Sequence, residues 1–104
     1  ADGRVFPHVI NGGASSPSEP YYLTFVHTPF ANQMLSDLAK DAIDKEGLGT
    51  REATDMLGVS FSSTDYLGHL FGPNSQEIED MMLRLDQSLA GLFQFVDQKV
   101  GLDK

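Results

Sequence analysis

Met56-Leu57-Gly58-Val59-Ser60-Phe61 is the stretch on which the fold reading turns. It is apolar on both faces, the pattern of a strand buried in a parallel sheet between helical layers. It runs into Ser62-Ser63-Thr64-Asp65, a cluster of small polar groups. The carboxyl ends of strands are where open α/β sheets build their ligand sites. The run therefore predicts an α/β protein with one central buried strand and a candidate site at its carboxyl end.

Helices are predicted on both sides of that strand. Upstream, Thr28 is placed to cap and Pro29 to occupy the first helical position, where its missing N–H costs nothing. Ala31, Leu35, Leu38, Ala42 and Ile43 recur at helical spacing, and Gly47 and Gly49 supply the stop. Downstream, Gly72-Pro73 forms a turn, and Asn74 with Glu77 three residues on has the form of a capping box. Ile78, Met81, Met82, Leu85, Leu89, Leu92, Phe93, Val96 and Val100 then hold one face of a long helix that Gly101 ends. Residues 1–27 read as an irregular, loop-rich segment, with turn formers from Asn11 to Pro20 and a short strand expected over Tyr21–Val26. Residues 28–104 form the helix–strand–helix unit.

A strand buried on both faces needs neighbours on both edges for its backbone groups. Two helices and one strand do not supply them, so the sequence is expected to be a fragment of a larger α/β protein, or else a small, mostly helical unit.

Composition narrows the function. The 104 residues hold 7 Lys plus Arg against 15 Asp plus Glu, a formal charge of −8, and no cysteine. An acidic chain lacks the basic face that nucleic acid or an anionic membrane requires. Without cysteine there is no thiol catalysis, disulfide or Cys-based metal site. No apolar run is long enough to span a bilayer, and Ala1-Asp2-Gly3-Arg4 has neither the basic patch nor the apolar core of a signal peptide.

Asp65-Tyr66-Leu67-Gly68-His69 carries the strongest chemical signal. A helical turn or tight loop there would put a carboxylate and an imidazole on one side, and an oxygen with a nitrogen donor suits zinc, manganese or iron(II) better than calcium. The plainer alternative makes Asp65 a helix cap and His69 a half-buried polar residue. A catalytic zinc usually takes three protein ligands. His8 and His27 are the remaining histidines, each without a partner at ligand spacing. Ser62, Ser63 and Thr64 could include a nucleophile if a base or metal stood beside them, or could simply satisfy backbone groups where the strand ends. Met56, Met81 and Met82 read as core, and Glu77, Glu79 and Asp80 suit the first turns of a helix.

Val59-Ser60-Phe61-Ser62-Ser63-Thr64-Asp65-Tyr66-Leu67-Gly68-His69-Leu70-Phe71-Gly72-Pro73-Asn74-Ser75 resembles the alkaline phosphatase superfamily, in the branch shared by nucleotide pyrophosphatase/phosphodiesterases and bacterial alkaline phosphatases. Leu83-Arg84-Leu85-Asp86 and Thr28-Pro29-Phe30-Ala31-Asn32 strengthen the likeness to the bacterial phosphatases, and it runs from about residue 24 onward. The resemblance implies a three-layer α/β fold and a zinc-dependent phosphomonoesterase or phosphodiesterase, periplasmic or secreted, acting on small phosphate esters. It implies two zinc ions about 4 Å apart clamping the transferred group. Asp65 and His69 match the positions that ligate one of these ions. A further histidine ligand, the second zinc site and a Thr or Ser nucleophile have no match in this sequence, so the chain alone is expected to be inactive. Sulfatases and phosphotransferases of the superfamily fit the same motif. A non-catalytic acidic helical interaction module is the alternative from another class. Either way, the unpaired helix faces predict self-association.

Overall fold

The structure, a computed structural model, describes residues 15–103 and is built from four helices. They are α1 (Glu19–Phe25), α2 (Pro29–Glu46), α3 (Ser63–Phe71) and α4 (Gln76–Lys99). Asn11 to Ala14 of the turn-rich segment, and His8, lie outside the described residues.

The α/β expectation is overturned: the described residues contain no strand. Met56 to Phe61 is extended chain without a ladder partner, and Met56 is 96% exposed. Only alternate residues face inward, Val59 and Phe61 packing on the cluster formed by Ala39, Ile43 and Leu92. No second extended segment lies beside it among the described residues, so its backbone has no ladder partner. The segment expected as a second strand is also different. Tyr21 to Phe25 is helical: Pro20 sits in the first turn, and Tyr22 N–H donates to the Ser18 carbonyl at 3.0 Å. The helical spacing brings the Tyr21 and Phe25 rings together in a stack with centroids 6.5 Å apart. Residues 1–27 are therefore not irregular throughout.

The two long helices lie where the sequence places them. Thr28 precedes Pro29 in extended conformation, but its hydroxyl donates backward to the Phe25 carbonyl at 2.7 Å rather than capping forward. Gly47 ends α2 in the left-handed conformation at φ 62°, the usual geometry of a helix stop. Gly49 has φ 74°, and a Cβ there would stand 2.7 Å from a Val100 methyl, so the loop after α2 crosses the end of α4 in bare backbone contact. The cap of α4 is Ser75, not Asn74: the Ser75 hydroxyl accepts from Ile78 N–H at 3.2 Å.

α2 packs along α4, and α3 bridges the pair at one end. The seam mixes small and polar side chains with larger apolar ones. Asn32, Ser36, Ala39 and Ile43 are the buried residues of α2, and Met81, Ser88 and Leu92 those of α4. This face of α2 is rotated from the expected stripe, leaving Leu38 exposed. Ser88 donates to Gln33 across the seam at 2.9 Å. At the far end Lys99 pairs with Asp44 and lies 5.7 Å from the centre of the Phe95 ring. Phe30, Met34 and Leu38, spaced by one helical turn each, stay exposed on the opposite side of α2.

Candidate metal centre

α3 begins at Ser63, and its first turn carries Asp65, a carboxylate suited to the positive end of the helix dipole. Gly72 at φ 85° followed by Pro73 ends it. Ser63 and Leu67 point inward and are buried. That orientation turns Asp65 and His69, one turn apart, to the outer face. Asp65 Oδ1 lies 3.5 Å from His69 Nε2, with the two side chains 72% and 80% exposed.

Phe61, Gly68, Pro73 and Ile78 form the apolar floor of an open groove, and Thr64, Asp65 and His69 stand along it. α3 therefore has a buried back, packed on α2 and α4, and an exposed front that carries Asp65 and His69.

The pair passes a simple test for a cation. Donors about 2.0–2.2 Å from a tetrahedral zinc stand about 3.4 Å from each other, close to the 3.5 Å between these two atoms. One carboxylate oxygen and one imidazole nitrogen are also hard and intermediate donors of the kind zinc accepts. They would account for two positions of a coordination shell. Among the described residues no group of three or more such donors forms. His27 does not join: its Nδ1 donates to the Leu23 carbonyl at 2.7 Å, and its ring rests 5.9 Å from that of Tyr66.

The candidate nucleophiles are placed as structural hydroxyls. Thr64 Oγ1 accepts from the Asn32 amide at 3.1 Å, Ser62 Oγ meets Ser60 Oγ at 2.8 Å, and Ser63 is buried at the base of the helix. Met81 is core as expected, whereas Met56 and Met82 are exposed. Sequence reasoning missed Asn32. Its one signal was its place on the 32, 36, 39, 43 helical spacing, which marks the buried face of α2.

Residues 9–104 match the family described as type I phosphodiesterase / nucleotide pyrophosphatase. The chain is 51% identical over 74 residues to alkaline phosphatase PafA of Elizabethkingia meningoseptica, covering 71% of this chain and 14% of that protein. It is 44% identical over 96 residues to alkaline phosphatase PhoV of Synechococcus elongatus, covering 92% of this chain and 17% of that protein. The crystal structure of wild-type PafA superimposes with a TM-score of 0.73 at 49% identity, covering 75% of this chain and 15% of the PafA chain. The chain thus spans about a seventh to a sixth of the length of these relatives. By that match across residues 9–104, it belongs to the type I phosphodiesterase / nucleotide pyrophosphatase family of the alkaline phosphatase superfamily.

Proposed function

We propose that this chain contributes Asp65 and His69 to a zinc site in a hydrolase of phosphate esters, periplasmic or secreted, and has no turnover by itself. The observation that carries the reading is the 3.5 Å approach of Asp65 Oδ1 to His69 Nε2 on the outward face of α3. Zinc held there would supply positive charge to an ester oxygen. The chain's own residues hold the two donors at fixed spacing and leave them open on one side. Charge supports the same reading. With a formal charge of −8 the chain repels a phosphate ester, and a cation between the acidic residues and the ester removes that penalty.

The test is a zinc titration of the 15N-labelled chain followed by two-dimensional NMR. Saturable changes centred on residues 65–69, reversed by chelator and absent in His69→Ala, are the expected result. A folded spectrum that zinc leaves unchanged at these residues would overturn the assignment. p-Nitrophenyl phosphate turnover by the purified chain would overturn its inactivity alone.

A further inference from the structure

The junction of α2, α3 and α4 is closed by one buried amide. Asn32 is 2% exposed, and its Nδ2 donates to Thr64 Oγ1 at 3.1 Å and to Met81 Sδ at 3.4 Å. Both amide hydrogens are thereby used, one on each neighbouring helix. Met81 is itself fully buried, so the contact lies in the centre of the three-helix junction.

A polar contact in this place does something that apolar packing does not. Apolar helix faces slide past one another at small cost. A buried amide loses its hydrogen bonds when the register changes and is then left unsatisfied. Thr64 is the residue before Asp65, and α3 is a short rigid helix, so fixing Thr64 fixes Asp65 and, one turn on, His69.

We propose that Asn32 is a positioning residue for the Asp65–His69 pair, its buried amide clasping Thr64 and Met81 so that α3 presents both donors in one place. The inference deepens the zinc reading and rests on it. It assigns to α2, which carries neither donor, the control of the geometry at the site.

The experiment uses the 104-residue chain with zinc alone as the probe. Asn32→Leu removes the clasp. Thr64→Val keeps the side-chain shape and removes only the acceptor, so it covers the case in which Asn32→Leu fails to fold. Ser88→Ala breaks a different polar contact of the α2–α4 seam, one that does not touch α3. Outer-shell supports typically govern metal affinity by factors of about 10–100, so Asn32→Leu and Thr64→Val are expected to weaken zinc binding about tenfold. The double variant should be no weaker than Asn32→Leu, because the two changes delete the same bond. Ser88→Ala should lower the melting temperature and leave zinc affinity within about twofold.

A second readout needs no metal. Gly68 faces the Ile78 side chain across the α3–α4 junction: a Cβ at Gly68 would stand 3.5 Å from Ile78 Cδ1. The corresponding nuclear Overhauser effect should weaken in Asn32→Leu and Thr64→Val and persist in Ser88→Ala. Zinc affinity unchanged in both clasp variants, or lowered equally by Ser88→Ala, overturns the inference. If the unmodified chain ignores zinc, the zinc reading falls. The positioning of α3 is then decided by the Overhauser contact, and its persistence in both clasp variants overturns that too.

Discussion

Met81 and Met82 are adjacent, chemically identical and placed oppositely, which makes them a sharp test of the helix packing. Met81 is fully buried where α2, α3 and α4 meet, whereas Met82 is 51% exposed. Truncating a buried Met to Ala costs about 2–5 kcal/mol, the transfer term plus a cavity term. Met81 has no accessible surface, and its sulfur accepts from Asn32, so a loss of about 3–4 kcal/mol is expected for Met81→Ala. A chain of this length typically has about 5–10 kcal/mol in total. The apolar side chains buried among the described residues are few: Ala39, Ile43, Leu67, Met81 and Leu92. That places this chain toward the low end, and the substitution removes more than half of what holds it folded.

The assay is urea unfolding followed by circular dichroism at the helical band. With a slope of about 1 kcal/mol per molar urea, Met81→Ala should lower the midpoint by about 3 M or leave the protein unfolded in buffer. Met82→Ala should change stability by less than about 0.5 kcal/mol. Met81→Leu keeps the volume but deprives the Asn32 amide of an acceptor, for a loss of about 1 kcal/mol. Equal effects of Met81→Ala and Met82→Ala would refute the orientation of α4, and a loss below about 1 kcal/mol for Met81→Ala would refute the three-helix junction.

Two further outcomes follow from the loop and the exposed face. Asp55 accepts from Gly49 N–H at 2.9 Å and from Arg51 at 2.6 Å, and the Gly49 bond first, then Arg51, holds its carboxyl below the usual range. The folded pKa lies below the unfolded value of about 3.9, so the contact stabilises above that pH and is lost as pH falls through the folded value. The protection of the Gly49 amide, taken relative to its intrinsic exchange rate, should fall as pH drops below the usual carboxylate range, and Asp55→Asn should show reduced protection already at neutral pH; a Gly49 amide indifferent to both would contradict the anchor. Phe30, Met34 and Leu38 form an exposed apolar row on α2, so the chain should self-associate as concentration rises, and Met34→Glu should disperse it. Sedimentation showing a monomer throughout, for the unmodified chain, would count against that face.

The long helices were legible because their ends are marked chemically. Pro29 fits only a helix start, and Gly47 and Gly101 both take positive φ. Their inner faces were less legible. The sequence reads Leu35 and Leu38 as core, but α2 turns Asn32, Ser36, Ala39 and Ile43 inward and leaves Leu38 exposed. The capping box at Asn74 fails by one residue, since Ser75 can reach Ile78 N–H with the same chemistry. Hydrophobicity misled most at Met56–Phe61. An apolar run reports that a segment is to be covered, not whether a strand lies beside it, and a ladder depends on partners that local sequence does not name. Tyr21–Phe25 shows the reverse case, where aromatic strand propensity yields to a proline in the first turn and to ring stacking one turn apart.

The Asp65–His69 pair was legible where the extended segment was not, because its spacing means the same thing locally whatever surrounds it. Residues four apart share a face once the helix forms, and Ser63 and Leu67 decide which face by turning inward. The contact on which the proposed role of Asn32 rests was not legible, because it joins Asn32 to Thr64 across a sequence separation of 32 residues, from a helix that carries neither Asp65 nor His69. This division has a functional consequence. The donors are exposed and chemically replaceable, while their placement depends on a buried contact that a substitution in α2 can remove without touching them. On the proposed reading, loss of zinc affinity therefore need not map to residues 65–69. A variant at Asn32 and a variant at His69 should both weaken zinc binding, but only the Asn32 variant should also shift the contact between Gly68 and Ile78.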